Sequence, residues 1–227
     1  MLKKLKDVVR DFVFGMEDGL VSNLGLVLGM YVGSGDQYPI ILAGLASMFA
    51  GAFSMSAGSY LSAKSQREVY ENEIKSVRED LENNPKQCLV EIKKVLRSEG
   101  LEKVKVDNFL GDYSKHKHPE FICNYLVQRK VGIAKEKLDL PLKNALTMFF
   151  SFLIGSAFPI LPFVFSSGIW SAIVAVILTV TMLFVVGLIK TMYTKLNWLK
   201  SGLEMVIIGV GTGAIGYLVG SVIGKLF

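Results

Sequence analysis

Phe12–Gly33, FVFGMEDGLVSNLGLVLGMYVG, is an apolar run long enough to cross a membrane as one helix, and it holds two carboxylates, Glu17 and Asp18. An ionised carboxylate in hydrocarbon is costly, so such a group normally faces a bundle interior or a wet pathway, and Asp18 is read first as a functional residue. If Phe12–Asp18 lies in the headgroup region instead, both acids are solvated and idle. A second apolar stretch, Gly44–Ser62, GLASMFAGAFSMSAGSYLS, bears on that choice. Read as a helix, it places Met48 and Met55 on the face that carries its small residues.

Working outward, 51% apolar residues and a mean hydropathy of +0.43 exceed what a soluble domain needs. Runs free of Lys, Arg, Asp and Glu cover Gly19–Gly35, Gln37–Ala63, Asn144–Ile189 and Met205–Gly224, and the third is long enough for two spans. The fold class that follows is an all-α integral membrane protein with five transmembrane helices. The basic amino terminus, MLKKLKDVVRDF, leads into an apolar run too long for a signal-peptide core and is expected to stay as part of the first helix.

Lys3, Lys4, Lys6 and Arg10 precede the first span, the polar segment Lys64–Lys143 follows the second, and Lys190–Lys200 joins the fourth to the fifth. The positive-inside rule places these segments in the cytoplasm and the carboxyl terminus outside. The net charge of +5 is then mostly a topology signal, and no nucleic-acid partner is expected. Cys88 and Cys123 share the cytoplasmic segment, where a disulfide is not expected. The domains read as 1–64 with spans one and two, 65–140 as a small helical cytoplasmic domain, and 141–227 with spans three to five.

In the first span Gly25, Gly29 and Gly33 lie four apart, and Gly15, Asp18, Gly19 and Ser22 follow a neighbouring stripe. The second span repeats the device with Gly44, Ser47, Gly51, Met55, Gly58 and Ser62, and the fifth with Gly209, Gly213, Gly216, Gly220 and Gly224. Small residues so spaced let helices approach closely. Met55, the one large member of its stripe, reads either as filler or as a ligand. The helical pattern runs on past Tyr60 through AKSQREVYENEIKSVREDLENN, in which Glu68, Glu71 and Glu73 interleave with Arg67 and Lys75 as a solvated face.

Asn84 and Pro85 open a short amphipathic helix with Leu89, Ile92, Val95 and Leu96 on one side and Gly100 as its stop. Lys105–Asp112 reads as a helical turn, and His118 and Pro119 start a further helix towards Lys137. His116 and His118 in KHKHP read as a solvated turn. Pro159 and Pro162 should kink the third span or end it early. The fourth, Ile169–Ile189, is apolar nearly all round and looks lipid-facing, and the fifth begins around Glu204, an interfacial acid. With no phosphate loop, nucleophile constellation or zinc spacing, an enzyme is not expected.

FVFGMEDGLVSNLGLVLG, AGAFSMSAGSYLSAKSQREVYENE and LPLKNALTMFFSFLIGSAFPILPF together resemble the vacuolar iron transporter family of divalent-metal exporters. The resemblance covers nearly the whole chain and its five-span layout with a helical insert after span two. It implies a homodimer whose interface carries the ion path, lined by the aspartate of the DG pair and the methionine of the SM pair. Those are Asp18 and Met55, and a carboxylate oxygen with a thioether sulfur suits ferrous iron better than magnesium or calcium. It further implies proton-coupled export of divalent iron or manganese from the cytoplasm, with the metal as substrate and no tightly bound cofactor. Partners are then the divalent metal ion, protons, a second copy and membrane lipid.

Two departures from the family pattern stand out. Where some relatives place a glutamate eight residues before the helix-two methionine, this chain has Ser47; with Glu17, Ser47 completes the expected path residues. The family's iron-storing insert carries glutamate pairs and a Met-Met, which map here onto Val77, Asp80, Cys88, Glu91, Leu126, Val127 and Lys130. Glu79, Asp80, Glu82, Cys88 and Glu91 remain as candidates for a weaker metal site. A different reading follows from these losses, namely a family member that lost metal handling and acts as a membrane-embedded interaction or scaffold protein. The absence of eukaryotic sorting signals suggests a prokaryotic plasma membrane.

Overall fold

A computed structural model describes residues 2–83, 90–91, 93–94, 96–97, 128, 140–195 and 197–226. The turn at Lys105–Asp112, the helix towards Lys137, both histidines, Cys88, Cys123, Leu126, Val127 and Lys130 lie outside the described residues. Among those described, all regular structure is helical: α1 Leu2–Ser34, α2 Gln37–Asn83, α3 Pro141–Phe165, α4 Ile169–Thr194 and α5 Trp198–Leu226. Each contains a segment long and apolar enough to cross a membrane, namely Val9–Ser34, Gln37–Asp80, Pro141–Phe165, Ile169–Met192 and Trp198–Leu226. The five expected spans are therefore present. The chain divides into two compact units, Met1–Leu61 with Leu140–Phe227, and Ser62–Asp139.

In the first unit α1 is the central helix. It packs most extensively on α3 and α5, and also on α4. In the apolar 18-residue stretch of its span 56% of the residues are buried, against 17% in those of α2 and α5, which leaves the last two to present apolar surface outward. One apolar cluster joins Leu24, Val27 and Leu28 of α1 to Ile40, Ile160, Phe163, Ala172 and Ala175. A second joins Val13, Met16 and Leu20 to Leu183, Val186 and Met205.

The connections are short and each has a local cause. Gly35 ends α1 at φ +70°, a conformation open to glycine, and its N–H reaches the Tyr31 carbonyl at 3.1 Å. Only Gly35 and Asp36 then separate α1 from α2. Gly168, at φ +84°, turns α3 into α4. Lys195 adopts the left-handed conformation to end α4, and the Asn197 side chain accepts the Leu199 N–H at 3.0 Å to cap α5.

Two expectations need correction and a third is narrowed. Helix α3 starts with Pro141 in its first turn and runs through Pro159 and Pro162 to Phe165, so of the kink or early end expected from the prolines the early end is excluded. Tertiary packing holds that end: Ile160 and Phe163 are buried, and the Phe163 carbonyl accepts the Gln37 amide at 2.6 Å. Helix α4 is not lipid-facing all round, because Ser171, Ala172, Ala175, Thr179, Leu183 and Val186 form a buried stripe against its neighbours. Helix α5 begins at Trp198, a full turn and a half before Glu204, because Asn197 supplies the cap.

In the second unit the described part of α2 carries Arg67–Glu71 at 2.7 Å, Lys64–Glu68 at 3.6 Å and Lys75–Glu79 at 3.9 Å, all exposed and spaced i,i+4. Ala63, Tyr70 and Val77, seven apart, form its buried line. Leu96 is buried too, and Val90, Glu91, Lys93, Lys94 and Arg97 are helical around it.

Candidate transport site

Helix α1 meets its neighbours along two glycine seams that the sequence alone does not assign to partners. Towards α3, Gly15 stands against Ser151, and a Cβ on Gly19 would lie 2.5 Å from the Phe152 carbonyl and 3.0 Å from Ser156 Oγ. From the other side, a Cβ on Gly155 would lie 2.5 Å from the Met16 carbonyl. Towards α5, Gly216 and Gly220 rest on the backbone of Gly25 and Gly29, and a Cβ on Gly224 would lie 2.9 Å from the Cα of Gly33. At both seams the spacing of small residues lets backbones touch.

The expected stripe Gly15–Asp18–Gly19–Ser22 is therefore split. Gly15 and Gly19 face α3, whereas Ser22 belongs to a groove of about 630 Å³ along α1 and α5, lined also by Gly25, Leu26, Gly29, Met30 and Thr212. A helix turns 100° per residue, so neighbours in sequence part company. Asp18 is half-buried, one turn before Ser22, whose hydroxyl donates to the Asp18 carbonyl at 2.5 Å. Among the described residues the carboxylates of Glu17 and Asp18 make no hydrogen bond or ion pair. Glu17 is half-buried as well.

The corner at Gly35–Asp36 relates the two expected ligands. Asp18 lies sixteen residues before Ser34 and Met55 eighteen after Gln37, which at 1.5 Å per residue is about 24 Å and about 27 Å along each helix from the corner. Gly19, next to Asp18, and Gly51, one turn before Met55, both meet Phe152 of α3. Ser47, ten residues after Gln37, is about 12 Å closer to the corner than Met55. Met55 and Ser47 are half-buried. The stripe on α2 is tight only in its first half: Gly44 meets Ile160 and Gly51 meets Phe152, but a side chain on Gly58 would meet nothing within 4 Å.

Glu79, Asp80 and Glu91 are exposed, and among the described residues no group of three His, Cys, Asp or Glu is placed to hold a metal. Cys88 lies outside the described residues, as does the side chain of Glu82.

Buried polar residues that sequence reasoning passed over line the α1–α3 seam. Asn23 and Ser156 are fully buried, and the Asn23 amide donates to Ser156 Oγ at 2.9 Å and to the Gly19 carbonyl at 3.4 Å. Asp11 is buried at the start of the span, with Arg10 Nε 3.0 Å from its Oδ1. The signal for Asn23 is in the sequence: an amide in the middle of an apolar run is a candidate for a hydrogen bond to a neighbouring helix.

A family model described as the VIT family matches residues 9–221. "Vacuolar iron transporter 1" of Tulipa gesneriana is 32% identical over 215 residues, covering 93% of this chain and 85% of its own length. "Vacuolar iron transporter 1" of Arabidopsis thaliana is 28% identical over 218 residues, covering 96% and 86%. "Protein CCC1" of Saccharomyces cerevisiae is 27% identical over 222 residues, covering 93% and 68%.

Proposed function

This chain belongs to the VIT family, and from that we propose that it carries divalent metal ions across a membrane, with Asp18 and Met55 as path ligands. The observation that supports this reading is Phe152 of α3, which is met both by Gly19, next to Asp18, and by Gly51, one turn before Met55. Carboxylate oxygen attracts hard and borderline cations, and thioether sulfur biases the pair towards softer ones, so ferrous iron and manganese are the cargo. Several relatives carry iron transport in their names, which supports the same cargo.

The site is completed by a second copy of the chain. One Asp18 and one Met55 make half of a tetrahedral ligand set, and a two-fold axis doubles it. The outward apolar faces of α2 and α5 supply surface for a second copy and for lipid. A carboxylate must release its proton to bind metal, so Asp18 also couples metal to proton movement, and the direction is export from the cytoplasm. Glu17 and Ser47 flank the path. The relatives named above are eukaryotic, and the plant ones are named for the vacuole, which lends no support to the prokaryotic plasma membrane expected from the sequence.

The test is full-length protein in proteoliposomes with a metal-sensitive dye inside. Ferrous iron and manganese should enter faster with a proton gradient directed outward from the lumen. Asp18→Ala should abolish uptake, and Met55→Ala should slow iron more than manganese. Unchanged uptake in Asp18→Ala would sink the path assignment.

A further inference from the structure

The α1–α3 seam holds a polar pair that none of the chemistry above uses. Asn23 and Ser156 are both fully buried in the membrane-spanning part, 133 residues apart in sequence, and joined by a hydrogen bond of 2.9 Å. The same Asn23 amide group reaches the Gly19 carbonyl at 3.4 Å, which belongs to the residue next to Asp18. The Oδ1 atom of Asn23 has no hydrogen-bond partner. The pair survives exchange of the amide's nitrogen and oxygen, because the Ser156 hydroxyl can accept or donate.

A half-satisfied amide in a buried seam is a poor way to gain stability. Burying its unused carbonyl offsets what the hydrogen bond contributes, and an apolar side chain would avoid the cost. What the pair supplies is register. The rest of this seam is glycine against backbone and small side chains, at Gly15, Gly19 and Gly155, with one other polar contact across it, a long one of 3.5 Å from Ser151 Oγ to the Asp11 carbonyl. Smooth surfaces of that kind fix how close two helices lie but only weakly fix how far one is slid or rotated along the other. Sliding α1 by one turn would move Asp18 about 5.4 Å in depth, and a one-residue slip would rotate it by about 100°. Either displacement takes a ligand out of reach of a cation, for which distances must hold within a few tenths of an ångström.

We propose that Asn23 is a positioning residue for transport: through its hydrogen bond to Ser156 it sets the depth and rotation of the α1 turn that carries Asp18. The inference rests on Asp18 being a path ligand. Asn23 never touches the ion, and it faces α3 with Gly19 while Asp18 lies on another side of the helix.

The experiment is manganese uptake by full-length protein in proteoliposomes, with initial rate measured against concentration for Asn23→Ala, Ser156→Ala, the double variant and Asp18→Ala. Thermal unfolding of each purified variant is measured in parallel. The positioning role predicts a KM raised about tenfold in either single variant, the scale on which supporting residues act on metal affinity. It also predicts a double variant no worse than the worse single one, and unfolding temperatures within a few degrees of the native protein. Should Asn23→Ala fail to fold, Ser156→Ala reads the same quantity with almost no change in volume. Native KM in the folded single variants, with Asp18→Ala inactive, overturns the positioning role alone. Native uptake by Asp18→Ala removes the path assignment and the inference with it.

Discussion

The two seams of α1 solve one problem in two ways. Against α5 the contact is glycine on glycine, Gly25 to Gly216 and Gly29 to Gly220, with the Thr212 methyl also against Gly25. Against α3 the glycines Gly15 and Gly19 are interleaved with serines and completed by the Asn23–Ser156 bond. The first seam is held by close packing alone and the second adds a directional contact. The directional seam spans the turns of α1 that flank Glu17 and Asp18, and the apolar seam runs from Gly25 towards the Gly35 corner.

The largest effect is expected from breaking the packed seam. Gly216→Leu has no room, since even a Cβ runs into the Gly25 backbone. A loss of about 3 kcal/mol or more is expected, seen as absence of a folded peak in gel filtration of detergent-extracted protein. Next comes the carboxylate itself. Asp18→Asn keeps the shape but cannot release a proton, so uptake should fall at least tenfold and the remainder should lose its dependence on pH between 5 and 8. In the native protein, where protons compete with metal for the carboxylate, acidifying the metal-loading side should slow uptake.

Breaking the directional seam should cost less. Ser156→Ala should lower stability by about 0.6–1.7 kcal/mol, the range for hydrogen bonds between helices in a bilayer, read from unfolding in detergent. Outside both seams, Thr179 of α4 is fully buried with its hydroxyl unpartnered. Thr179→Val removes that hydroxyl at nearly constant shape and should change stability by less than about 1 kcal/mol, if anything upward. If Thr179→Val proves as damaging as Ser156→Ala, the seam contact is not distinctive.

Much of the layout could be read from the chain because bilayers impose lengths. Uncharged runs located all five spans, and the helical pattern beyond Tyr60 foretold that α2 continues without a break to Asn83. The glycine periodicity announced close contacts, and Gly216 with Gly220 makes them. Periodicity does not name partners, however. Gly19 and Asp18 are adjacent in sequence yet lie about 100° apart around the helix, and only packing shows that Gly19 is the one against α3. Ala172, Ala175 and Thr179 gave α4 a buried stripe that its uniform hydropathy concealed. At the candidate site, residue types pointed to Asp18 and Met55, but Asn23 was hidden among the apolar residues around it, where attention to charge passes over an amide.

The glycine corner that ends α1 has a mechanical consequence. Two stiff rods pinned together by a pair of residues act like callipers, with the acid and the sulfur each carried about 25 Å from the pivot. An angular change of about 10° at the pivot would alter the gap between them by about 4 Å. With Asp18 and Met55 as the proposed ligands, that is the difference between gripping a dehydrated cation and leaving space for its water, so a modest swing of one arm would be enough to load and unload the ion.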